Sequence, residues 1–253
     1  MDKKLKKLSS IVLCTAILVV ATLVGVFADE VSIPNLVKVD FSEKKYRMVG
    51  KAHLEDAISN SGNIVEENGQ KIYKGEFGGE VESSDLFEEA FDAFNKNIKG
   101  KTLFGKKIEN IVMFDAGGKY PTCKLVIKFP SEFNVSKDDV IVNENTEMIN
   151  GYEVSETGDK EITIKFNLGN WDDYAGFFAR FENEFGVPNH KISVKIPYSV
   201  NINDETSNVL GKIEASGECM LWKVGGFYLG DRNIVNVKAE KSYFDILLNE
   251  SIQ

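Results

Sequence analysis

The run Thr122-Cys-Lys-Leu-Val-Ile-Lys-Phe-Pro130 is rich in β-forming residues and closed by a proline, so it specifies a strand. Upstream lies Asp85-Leu-Phe-Glu-Glu-Ala-Phe-Asp-Ala-Phe-Asn-Lys-Asn-Ile-Lys-Gly100, where the hydrophobic period changes from two to 3.6. Phe87, Ala90, Phe91, Phe94 and Ile98 share one stripe of that helix, and Glu88, Glu89, Asp92 and Lys96 the opposite face. Asp85 reads as its N-cap, with Glu88 at capping-box spacing, and Gly100 as its left-handed stop. A stripe of this kind packs a core.

The same succession occurs again. A second helix starts with Asn170 as cap, carries Tyr174, Phe177, Phe178, Phe181 and Phe185, and stops at Gly186 with Pro188 beyond. Lys191 to Ile202 follows as a strand in which Pro197 marks an edge or a bulge. Elsewhere period-2 texture dominates. Tyr46–Leu54 alternates, and Asn68-Gly69 between 62–67 and 70–77 is a type I′ hairpin signal. A turn at Thr157-Gly158-Asp159 returns the chain into Glu161–Phe166. Two long strands, 208–222 and 232–248, flank a loop centred on Gly225, Gly226 and Gly230. The fold class is therefore α+β, a mostly antiparallel β-sheet with two amphipathic Phe-rich helices packed on it. Residues 29–204 are expected to form the main domain, and 205–253 a C-terminal β-hairpin packed on it.

The first 28 residues read as a signal peptide. Lys3, Lys4, Lys6 and Lys7 precede an apolar run from Ile11 to Phe27, and Val26-Phe27-Ala28 suits cleavage after Ala28. Secretion follows, with membrane association only if that segment stays uncleaved. Removing its four lysines and one aspartate takes the net charge from −9 to −12. Such an acidic chain, with no basic cluster after the leader, disfavours nucleic acid and anionic surfaces as partners.

The catalytic inventory is thin. His53 and His190 are the only histidines and neither stands in a metal-ligand pattern. No nucleophile elbow, P-loop or dinucleotide fingerprint occurs, so no catalytic, cofactor or metal residue is assigned. Asp138-Asp139 and Asp172-Asp173 lack the calcium-loop pattern. Gly78-Gly79, Gly117-Gly118 and Gly225-Gly226 read as turn punctuation. Cys123 and Cys219 both fall in strand-like stretches and are a candidate disulfide in an oxidising compartment. Trp222, Phe227 and Tyr228 flank the glycine loop as candidate contact residues, with closure of the core as the alternative. An exposed sheet edge that takes up an extended segment of another protein is a second candidate. A rival arrangement is a carrier holding an apolar, lipid-like ligand between the aromatic helices and the sheet.

Taken together, helix Asp85–Gly100 leading into Cys123-Lys-Leu-Val-Ile-Lys-Phe-Pro130, the strand Glu161-Ile-Thr-Ile-Lys-Phe166 feeding helix two, and Lys191-Ile-Ser-Val-Lys-Ile-Pro197 form a recurring pattern. It resembles adhesion domains of Gram-positive (Firmicutes) surface proteins, including the streptococcal surface repeat type. The resemblance implies an exported module that binds a host matrix protein such as fibronectin, or that builds a surface stalk. It carries no site residue with it. The reading as a whole is a non-enzymatic adhesion module whose partner is an extracellular protein, host matrix or envelope component.

Overall fold

Alternating stretches dominate the computed structural model, which describes residues 36–43, 46–170, 172–203, 208–223 and 232–248. Numbered in chain order, the strands of the larger sheet run from edge to edge as β1 (Val37–Ser42), β2 (Arg47–Ala52), β14 (Arg232–Leu247), β13 (Val209–Lys223), β7 (Thr122–Lys128), β11 (Glu161–Leu168) and β10 (Ile149–Gly158). A second sheet runs β3 (Ser59–Glu67), β4 (Gln70–Glu82), β12 (Lys191–Ile202) and β8 (Asn134–Val135), with β9 (Ile141–Glu144) also on β12. A short hairpin joins β5 (Thr102–Leu103) to β6 (Lys106–Lys107). Among the described strands only β14 with β2 is parallel. With helices α1 (Ser83–Asn97) and α2 (Tyr174–Glu184), the fold is α+β and strand-dominated.

Both helix starts differ from the expected ones. β4 passes directly into α1, so Glu82 is the N-cap and Asp85 lies in the first turn. The Glu82 side chain makes no cap bond, and the Ser83 N–H donates instead to His190 O at 2.7 Å, just before β12. In α2 the cap is Asp173, whose carboxylate accepts from Gly176 N–H at 2.7 Å. Asn170 belongs to the preceding turn, where its N–H donates to Asp172 Oδ2. The ends fall near the expected glycines: Ile98 and Phe185 donate to Phe94 O and Phe181 O.

Two strand details also differ. Pro197 is neither on an edge strand nor at a register shift; β12 pairs with β4 along its whole length. The proline falls in the gap between the β9 pairing, which spans Ile192–Lys195, and the β8 pairing, which begins at Tyr198. There the strand has a neighbour on one side only, so a missing N–H is tolerated. Gly78 and Gly79 lie inside β4 rather than in a turn. A Cβ on either would stand 1.9 Å from a carbonyl oxygen, of Val194 or of Ala57, so close backbone approach fixes both as glycine.

Aromatic rings close the space between the layers. Phe77 on β4 meets Phe244 on β14 edge-on at 5.2 Å and Phe129 at 6.0 Å, tying the two sheets together at one end. At the other end the Phe stripes of the helices interlock. Phe94 stacks on Phe178 at 4.7 Å, Phe91 meets Phe181 at 5.0 Å, and Phe87 meets Phe177 at 5.5 Å. These rings are core, as the helical spacing predicts.

Candidate functional site: an open sheet edge and an apolar cavity

The hairpin signal builds the first site. Asn68 and Gly69 both take positive φ, 54° and 76°, and Glu67 pairs with Gln70, so the turn is the two-residue type I′. From there β3 pairs with β4 in one unbroken register back to Ser59 opposite Gly78. In such a hairpin the residues flanking the turn exchange both backbone bonds, and alternate pairs exchange none. The N–H and C=O groups of Glu66, Ile64, Gly62 and Asn60 therefore point away from β4. That side carries no strand among the described residues.

Natural edge strands are usually guarded by lysine, proline or a bulge. β3, Ser-Asn-Ser-Gly-Asn-Ile-Val-Glu-Glu, has none of these. It is nonetheless held straight. Gly62 lies opposite Gly75, the Tyr73 ring lies against Gly62 and the Tyr198 ring against Gly75. The two rings stack at 6.2 Å, and Tyr198 Oη donates to Asn60 Oδ1 at 2.5 Å.

The second feature is internal. A cavity of about 250 Å³ lies between the inner face of the larger sheet, the end of β4, and the two helices. Its cause is visible in the register. Ala52, Ala239 and Gly217 are directly opposite one another on three adjacent strands, β2, β14 and β13, and all three line the void. No side chain longer than a methyl fills that row. Central inner-face residues such as Cys123, Leu125, Cys219 and Val237 consequently keep accessible surface although they lie mid-sheet.

Cys123 and Cys219 face each other across β7 and β13 and line this cavity as free thiols. Burial pushes the Cys123 thiol up to about 12 and moves that of Cys219 well above its ordinary value. Trp222 is the penultimate residue of β13, half-buried, with its backbone paired to Phe114 in both directions at 2.6 and 2.7 Å. Phe227 and Tyr228 lie outside the described residues.

The remaining polar candidates are structural. Glu184, buried at the end of α2, accepts from Ser83 Oγ at 3.0 Å, Thr146 Oγ1 at 2.6 Å and the Glu147 N–H, with His190 Nδ1 at 3.3 Å. His53 is half-exposed, 3.5 Å from Glu55. Asp172 pairs with Arg180 and Asp138 with Lys137. No group of three His, Cys, Asp or Glu side chains suited to a metal occurs among the described residues.

One basic cluster does occur, contrary to expectation, within Lys99–Lys107. The β5–β6 hairpin lifts Phe104 into solvent, 93% exposed, between Lys101 and the Lys106-Lys107 pair. Four lysines spaced through Lys99–Lys107 carried that signal, diluted by the acidic average of the chain.

No family model matches the chain and no curated protein matches it. Among solved structures it is similar to the collagen-binding subdomain ACE19 of the Enterococcus faecalis surface protein ACE, at 10% identity and a TM-score of 0.28, over 75% of this chain and 95% of that one. It is also similar to the N-terminal domain of the Streptococcus gordonii adhesin Sgo0707, at 12% identity and TM-score 0.30, over 77% of this chain and 33% of that one. The Bacillus cereus major pilin subunit BcpA is matched at 8% identity and TM-score 0.24, over 74% of this chain and 40% of that one. These likenesses are remote.

Proposed function

We propose that the chain is an exported, non-enzymatic binding module that engages an extracellular protein by strand addition along β3. The observation that carries this reading is the unguarded edge: four consecutive outward pairs of backbone donors and acceptors, Asn60 to Glu66, on a strand in unbroken register. The partner chemistry is an extended segment without proline in its paired stretch. Backbone bonds supply affinity, and alternate side chains meeting Ile64 and its neighbours supply selectivity. The leader-like N-terminus supports export, and the resemblance to Gram-positive adhesion domains supports an extracellular partner such as a matrix protein or envelope component.

The test is capture by immobilised protein of fibronectin and of an envelope extract from the producing cells, compared with Ile64→Pro. That change removes an outward N–H and none that β4 uses. Ile64→Lys adds the charge with which edges are ordinarily protected. Capture by the parent and its loss in both variants is the expected result. Equal capture by all three, or none by the parent, overturns the proposal. Self-association lost in the same variants would make the partner a second copy and overturn it equally.

A further inference from the structure

We infer that the apolar cavity is a binding site for one slender, uncharged apolar molecule, such as a medium-length alkanol or a small aromatic of two or three rings. This goes beyond the proposed edge recognition and does not depend on it.

Three observations lead there. The first is size: the cavity measures about 250 Å³, whereas a dry cavity of roughly 150 Å³ already admits benzene or xenon. The occupant is therefore larger than one benzene ring. It is also smaller than ligands of ordinary pockets, which start at about 300 Å³.

The second is chemistry. Met48, Leu125, Val194, Val235 and Phe178 line the void from both sheets and α2, and the two thiols among the liners are neutral. A stable water needs two to four polar partners. Among the charged liners, Lys124 is engaged with Glu218 and Asp172 with Arg180. Water is thus poorly held, and an ionised headgroup has no free counter-charge to meet.

The third is access. The liners Leu54, Ala57, Ile58, Leu86, Phe87 and Ala90 are half-buried rather than buried. They belong to the segment after β2 and the first turns of α1, which form the side from which a chain-like molecule enters. The hollow itself is written into the sheet by the Ala52–Ala239–Gly217 row.

The experiment is a fluorescence titration of the full chain with the uncharged probe N-phenyl-1-naphthylamine, followed by displacement with dodecanol. Saturable uptake of one probe per chain, displaced by dodecanol, is expected. Ala239→Leu and Ala90→Leu, which fill the void from opposite walls, are each expected to weaken uptake at least tenfold. Phe104→Ser, on the solvent-exposed hairpin, leaves it unchanged. Dodecanol is also expected to raise the thermal midpoint of the unmodified chain with concentration, a readout independent of whether the variants fold. No saturable uptake, uptake unchanged in both filling variants, or no midpoint shift overturns the inference. Loss of fibronectin capture in Ile64→Pro with unchanged probe uptake separates this site from the β3 edge.

Discussion

Cys123 and Cys219 are direct register partners on neighbouring antiparallel strands, in the middle of the larger sheet. Opposed residues in such a pair have Cα atoms roughly 4.5–5.5 Å apart, inside the span a disulfide bridges. Both thiols are free here and held protonated by burial. The folded protein is therefore expected to react slowly with iodoacetamide at pH 8 and rapidly in urea. We propose that a bridge forms when a disulfide-bearing oxidant, small-molecule or protein, takes two electrons and two protons from the pair before β7 and β13 close. Intact-mass measurement of protein isolated from its own cells and their medium, with loss of two hydrogens restored by dithiothreitol, checks it. Fast alkylation of the native reduced chain would contradict the burial argument.

Alkaline pH should weaken the reduced protein. The thiol of Cys123 is raised from 9.0 to about 12, and Cys219 and Tyr174 are raised as well, all chiefly by burial. The folded state keeps protons that the unfolded chain releases, so stability is complete below pH 9 and falls as pH rises toward 12. Urea midpoints measured from pH 7 to 11 should decline above pH 9, less steeply in Cys123→Ser. A flat profile would refute this.

Glu184 gathers donors from α1, the β9–β10 connection and the start of β12. Replacing it with alanine leaves Ser83 and Thr146 hydroxyls without their acceptor in a buried setting. A loss on the order of 3 kcal/mol in denaturant unfolding is expected. Thr146→Val, which removes one donor to Glu184 and the acceptor of the Met148 N–H, should cost roughly 1–2 kcal/mol.

Gly75→Ala places a Cβ 2.3 Å from Cζ of Tyr198. Tyr198 is buried and cannot swing clear, so about 1–3 kcal/mol of overpacking is expected. Gly117→Ala has open space around its Cβ but a φ of 75°, so it should cost only about 1 kcal/mol. Thermal melts of the two variants give the comparison.

Local signals carried most of the fold. The type I′ turn at Asn68-Gly69, the Phe stripes and the β7 run needed only periodicity and turn chemistry, and each stands where those place it. The start of α1 was less legible because the Ser83 N–H is met from afar, by His190 O across the sheet, and no local spacing encodes that. At α2 two polar residues, Asn170 and Asp173, compete for the cap, and the local acceptor is Asp173. Gly78-Gly79 looked like a turn because sequence cannot show two other backbones closing on it. The sites were harder still. A sheet edge was foreseeable as a kind of site, but which strand ends the sheet depends on pairings far apart in the chain. The cavity arises from Ala52, Ala239 and Gly217, each unremarkable alone and meaningful only when register brings them into one row.

The parallel contact of β14 with β2 brings strands from the two ends of the described chain side by side within the larger sheet. Until β14 has emerged, β1 and β2 have no attachment to the remaining strands of that layer. Completion of that layer must then await β14, and the long sequence separation between β2 and β14 makes this pairing a slow, non-local step.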